Sequence, residues 1–192
     1  KIIWLVDGVN ASMDSLNNRN FFIATRKNLN IDDMLFKYGV RINSDLIEDL
    51  RSTQIPVITG YSNNVPQQSF FAWPYFPLVF SESSHPISKG LDAIKCNFIS
   101  SIDTIENAIK KTILLTSSKK SRIIPSPAKI SLRLLENNIP ATSYNKSYIP
   151  ISVLLEGNFE SVFKNRIVPK YKSLEFKDKS VNTQMIVISD GD

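Results

Sequence analysis

Four short apolar runs punctuate the chain, and each opens into small or acidic residues. Ile2-Ile3-Trp4-Leu5-Val6 runs into Asp7-Gly8, and Thr112-Ile113-Leu114-Leu115-Thr116 into Ser117-Ser118. Ile151-Ser152-Val153-Leu154-Leu155 runs into Glu156-Gly157, and Met185-Ile186-Val187-Ile188-Ser189 into Asp190-Gly191. Runs of this length bounded by turn residues read as strands buried on both faces. In an open parallel sheet their C-terminal ends share one edge, where a ligand crevice forms if there is one. The pattern therefore predicts an α/β fold: a mostly parallel central sheet with helices on both faces.

Between these runs the signals are weaker. Asn30 is a good N-cap for a short helix carrying Asp32 and Asp33 in its first turn, where carboxylates suit the helix dipole. Met34, Leu35 and Tyr38 supply its inward face, and Gly39 ends it. Residues 40–42 read as a short strand, and 43–50 as either a helix capped at Ser44 or a loop and a strand. Pro56 marks 55–60 as an edge strand or a strand start. Residues 61–68 read as a polar loop. Residues 70–80 are the most aromatic stretch, and Pro74 and Pro77 exclude a regular helix there. This stretch is either a core strand interrupted by prolines or, in part, an exposed contact surface. Residues 91–99 read as a strand holding a buried Cys96, 118–126 as a basic loop, 158–166 as an amphipathic helix or turn, and 170–178 as an exposed charged segment.

The chain of 192 residues has ordinary globular composition, 42% hydrophobic and 21% charged, enough for one large α/β domain. A net charge of +5 is spread over scattered lysines, with Lys119, Lys120 and Arg122 the nearest thing to a cluster. That balance suits a solvated surface, an anionic membrane surface or an acidic partner. Nucleic acid is disfavoured, because no aromatic-basic interleaving accompanies the charge. One cysteine, Cys96, excludes an internal disulfide and a Cys-based zinc cluster, and one histidine, His85, excludes a His-rich metal site. No apolar run approaches the ~18 residues needed to span a bilayer. The chain begins and stops within a residue or two of predicted strands, so we expect an excised piece of a larger protein.

Candidate chemistry gathers at the strand ends. Asp7, Glu156 and Asp190, with Asn10 and Ser117 nearby, would line the shared edge and form the expected ligand site. Asp7-Gly8-Val9-Asn10-Ala11 resembles the opening of a metal-dependent adhesion site, but both serine hydroxyls of that pattern are missing, so no metal is expected. The nucleophile elbow, the Walker A loop and the dinucleotide glycine motif are absent. No catalytic residue and no cofactor are expected.

Several segments together resemble the GldG family of gliding bacteria. They are residues 1–10, 32–43 and 46–50, His85-Pro86-Ile87, residues 154–159 and 161–166, and 187–192. The resemblance implies a non-catalytic auxiliary, substrate-binding-like or assembly component of an ABC transporter linked to gliding motility. It implies an extracytoplasmic domain on the periplasmic face of the inner membrane, tethered there in the full-length protein. Permease and ATPase would be separate subunits and the expected partners, alongside a possible small ligand. The fold it implies is similar to that of class I glutamine amidotransferases, flavodoxin-like in outline, without their catalytic residues. Two alternatives stay open: a protein-interaction scaffold with no small ligand, and a degenerate amidotransferase-like hydrolase.

Overall fold

The computed structural model describes residues 1–16, 19–81, 83–136, 139–165 and 176–192. Along them run β1 (Ile2–Leu5), β2 (Val9–Asn10), β3 (Phe22–Arg26), helix α1 (Asp32–Tyr38), β4 (Val40–Ile42) and β5 (Asp45–Asp49). The long strands β6 (Ser52–Ser62) and β7 (Val65–Val79) follow, then β8 (Ile94–Lys95), β9 (Ile102–Thr104) and β10 (Lys110–Thr116). The last strands are β11 (Ser121–Pro125), β12 (Ala128–Ile130), β13 (Pro150–Gly157) and β14 (Thr183–Ile188).

The four apolar runs do form one sheet, ordered β1-β14-β13-β10. It is not the expected parallel sheet. Only β1 and β14 run parallel among the described residues; β13 is antiparallel to both of its neighbours, β14 and β10. Parallel neighbours need crossovers of a dozen or more residues, usually a helix. The described residues between these runs fold mostly into antiparallel ladders instead. α1 is the one α-helix described, seven residues long, so among the described residues no helical layer covers either face. The α/β expectation, with its amidotransferase-like and flavodoxin-like outline, is overturned in favour of a β-rich fold.

Burial follows position in the sheet. The inner strand β13 is buried from Ile151 to Leu155. Val153 and Leu155 enter a core with Leu35, Tyr38, Phe159, Met185 and Val187. Leu154 enters another with Ile47, Val79, Ile99 and Leu114. β1 is an edge strand, so its apolar run is not buried on both faces: Ile3 is 63% exposed and Leu5 57%. A third core packs Trp73, Tyr75, Phe76 and Phe98 against Phe22, Leu46 and Ile130. Two of its ring pairs, Phe22–Phe98 and Phe76–Phe98, meet edge-on at 6.0 and 5.3 Å.

Local signals fared unevenly. α1 ends at Gly39, whose φ of 101° is left-handed, as expected of a terminating glycine. Its N-cap is Ile31 with no side-chain cap; Asn30 sits just before it at φ 56°. Residues 61–68 are not a loop. β6 and β7 form one hairpin whose turn is Asn63-Asn64, both with positive φ, as a tight two-residue turn requires. Residues 43–50 resolve as β5, paired with β11, which occupies 121–125 where a loop was expected. Of residues 91–99 only 94–95 form a strand, although Cys96 is buried. Residues 158–165 make an isolated bridge and a turn rather than a helix; residue 166 and residues 170–175 lie outside the described residues.

Candidate functional site

The parallel direction of β1, β14 and β10 brings Asp7, Asp190 and Ser117 to the same end of the sheet. β13 enters that end with Pro150, opposite Thr116, and leaves at the other end with Glu156 opposite Lys110 and Gln184. Glu156 is therefore not part of the predicted edge. Its carboxylate accepts from Lys110 Nζ at 2.9 Å and Gln184 Nε2 at 2.9 Å, and these bonds, Lys110 first, hold it below the usual glutamate range.

The groups that do share the edge are mostly occupied by their own chain. Asp7 accepts from the Gly191 N–H at 2.7 Å and from Lys27 Nζ at 2.9 Å. Ser117 is fully buried, and its hydroxyl accepts from the Ile149 N–H at 2.9 Å. Asp190 turns inward beside Cys96. Burial pushes its carboxyl above the ordinary aspartate range, against the opposing hydrogen bonds from the Cys96 thiol and the Asp192 and Asn97 N–H groups. Its Oδ1 is buried without a partner. The Cys96 thiol is itself raised by burial and by Asp190, so it does not supply a thiolate nucleophile. Asn10 is exposed on β2 and, with Asp7, lines an open groove of about 1460 Å³ that runs past Ala11, Ser15, Arg19 and Phe22. Behind it the backbone comes close: a Cβ on Gly8 would lie 2.5 Å from the Asn43 carbonyl oxygen, so only glycine fits there.

The densest polar chemistry lies elsewhere, on β5, where the sequence pointed to no site residue. All five of its residues are buried, three of them acids. Asp45 accepts from the Ser101 N–H at 2.8 Å and hydroxyl at 2.6 Å. Asp49 accepts from the Ser118 N–H and hydroxyl at 2.7 and 2.6 Å, from the Ser121 hydroxyl and from the Arg51 N–H. Glu48 takes Arg122 Nε at 2.6 Å and the Tyr144 hydroxyl at 3.2 Å. Burial and then the Glu48 charge push the Tyr144 phenol up to about 12. Each acid thus ties down a loop, which is a structural use of buried carboxylates. The available signal was the pair of Ser-Ser steps, Ser100-Ser101 and Ser117-Ser118, each just beyond an apolar segment.

No group of three or more His, Cys, Asp or Glu among the described residues could hold a metal ion. His85 Nδ1 accepts the Ile87 N–H in a local turn. No described helix is long and apolar enough to cross a membrane.

Residues 1–192, the whole sequence, match the family described as ABC-type uncharacterized transport system. The chain belongs to this ABC transporter auxiliary family. No curated protein and no solved structure matches it significantly. Membership in the auxiliary family makes the chain an auxiliary component of an ABC-type transport system and implies association with ABC transporter components.

Proposed function

We propose that this domain is a non-catalytic assembly component of its transport system, serving gliding motility from the periplasmic face of the inner membrane. In this reading it is tethered there in the full-length protein, through which it associates with separate permease and ATPase subunits. The observation that carries the assembly reading is the state of the strand-end edge: Asp7 is held by Lys27 and Gly191, Ser117 is buried, and Asp190 faces inward. An edge filled by the chain's own groups leaves little for a solute to bind. The burial of Cys96 and the local engagement of His85 support a non-enzyme. The gliding and periplasmic parts rest on the resemblance of residues 1–10, 32–43, 154–159 and 161–166, among others, to the GldG family.

Co-expression of the full-length protein with the permease and ATPase of its own transport system tests the reading. Co-elution of the three in detergent is expected; separate elution overturns it. One observation favours a solute-binding alternative: the open groove beside Asp7 and Asn10. A thermal-shift panel of sugars, peptides, lipid headgroups, nucleotides and divalent cations decides between them. A ligand at a hundredfold excess over its dissociation constant adds about 2.7 kcal/mol to the folded state. No shift is expected; a shift lost in Asn10→Ala would make the groove a binding site.

A further inference from the structure

The β6–β7 hairpin carries a property that the assembly reading does not use. From Ser52 to Ser81 the sequence contains no Asp, Glu, Lys, Arg or His, in a chain that is 21% charged. Within this stretch the two strands pair from Gln54–Ala72 out to Ser62–Val65, with Ser52–Pro77 paired below a register shift, and among the described residues only Leu78 and Val79, at the base, pair with a third strand. Its outer half is thus a two-stranded arm, free on both edges among the described residues. The base is anchored: Trp73, Tyr75 and Phe76 are buried in a core.

The register assigns the faces. Ile55, Phe71, Val57 and Ser69 point to the core side, and Ile55 and Val57 pack there. Pro56 with Phe70, Ile58 with Gln68 and Tyr61 with Pro66 share the opposite face. On that face Tyr61 is 72% exposed, Phe70 64% and Ile58 52%. An uncharged arm therefore presents an uncovered apolar stripe, Pro56-Phe70-Ile58-Tyr61-Pro66.

We propose that this stripe is a membrane-contact surface that lies on an anionic lipid bilayer. Three observations select that occupant. Edge-on strand addition to the arm is blunted by Pro56 and Pro66 and by the register shift at Thr59, so the face and not the edge is available. The stripe offers on the order of 400 Å², well under the roughly 800 Å² per partner of a stable protein interface. The missing charge removes the desolvation cost of seating the arm among headgroups, while the net +5 of the chain draws it to anionic lipid. The free backbone edges keep their hydration only in the interfacial layer, so the arm lies along the surface with Tyr61 and Phe70 at headgroup depth.

The test uses the purified chain and unilamellar vesicles of phosphatidylcholine with 30% phosphatidylglycerol, at ~1 mM lipid and low salt. Sedimentation with the vesicles is expected, falling at least tenfold in the Ile58→Ser/Phe70→Ser double variant. A Tyr61→Trp variant is expected to shift its emission to the blue and to be quenched by brominated lipid. A wild-type chain that stays in the supernatant overturns the proposal. So does a double variant that binds as well as wild type while keeping its circular dichroism spectrum. A dimer in sedimentation equilibrium that the double variant abolishes overturns it in favour of a second copy as the occupant. Vesicle binding and co-elution with transporter subunits are separate readouts, so this proposal and the assembly reading fail independently.

Discussion

Arg122 is the residue on which the buried acids of β5 depend most visibly. Its guanidinium is the cation that reaches Glu48, whose carboxylate is almost wholly buried and whose Oε1 already lacks a partner. Removing one member of such a pair leaves a charge with neither water nor a counter-ion, which costs about 3 kcal/mol or more. Arg122→Ala is therefore expected to lower the urea midpoint strongly, and Arg122→Lys to recover only part of it, because lysine cannot reproduce the planar fork. Asp190 behaves in the opposite sense. Its folded-state titration is raised by burial, so the ionised carboxylate costs stability at neutral pH. That cost is relieved as pH falls through the raised folded value toward the ordinary aspartate range, where both states are protonated. Asp190→Asn is expected to raise the melting temperature at pH 7, and the gain should shrink as the pH is lowered. A gain that is constant across pH would mean that packing, not ionisation, is responsible.

Elements differ in how much each contributes to stability. Gly39 closes α1 at φ 101° and sits against Lys111 and Asn107. A side chain there adopts left-handed backbone at a cost of about 1–2 kcal/mol, so Gly39→Ala is expected to destabilise by that much in a denaturant titration. The outer hairpin is the contrary case. Between Val57 and Ser69 it buries little of itself, and an isolated two-stranded arm is marginal in water. Replacing residues 58–68 by Asn-Gly should move the melting temperature by no more than about 4 °C, equivalent to roughly 1 kcal/mol for a chain of this size. A large loss would show that the arm belongs to the core after all. Residues 70–80 divide between the two alternatives: Trp73, Tyr75 and Phe76 are core, and Phe70 is exposed.

On the scale of the molecule, three cores share the sheets without a helical layer, and the arm extends from one of them. Hydrogen exchange is expected to be slowest in β13 and β14, where strands are paired on both sides and buried, and fastest in residues 58–68. Uniform protection along the hairpin would contradict this. The candidate edge was legible in outline, because Asp7, Ser117 and Asp190 do lie at one end of the sheet. What those residues do there was not legible, since their partners, Lys27, Gly191, Ile149 and Cys96, are distant along the chain.

The sequence by itself determined where the apolar strands lie, the short helix that closes on Gly39, and the absence of charge over residues 52–81. These are local properties, set by side-chain periodicity, turn chemistry and composition. Only the tertiary structure decided that β13 runs against β14, which removed Glu156 from the edge. Only it decided that β1 is an edge strand while β13 is internal, although their apolar runs look alike. Strand direction and edge position are set by non-local pairing, and a run of four or five apolar residues carries no record of its neighbours. The same holds for Asp45, Glu48 and Asp49. Acids are ordinarily surface residues, and these are interior ones because serines, a tyrosine and an arginine from far along the chain fold over them.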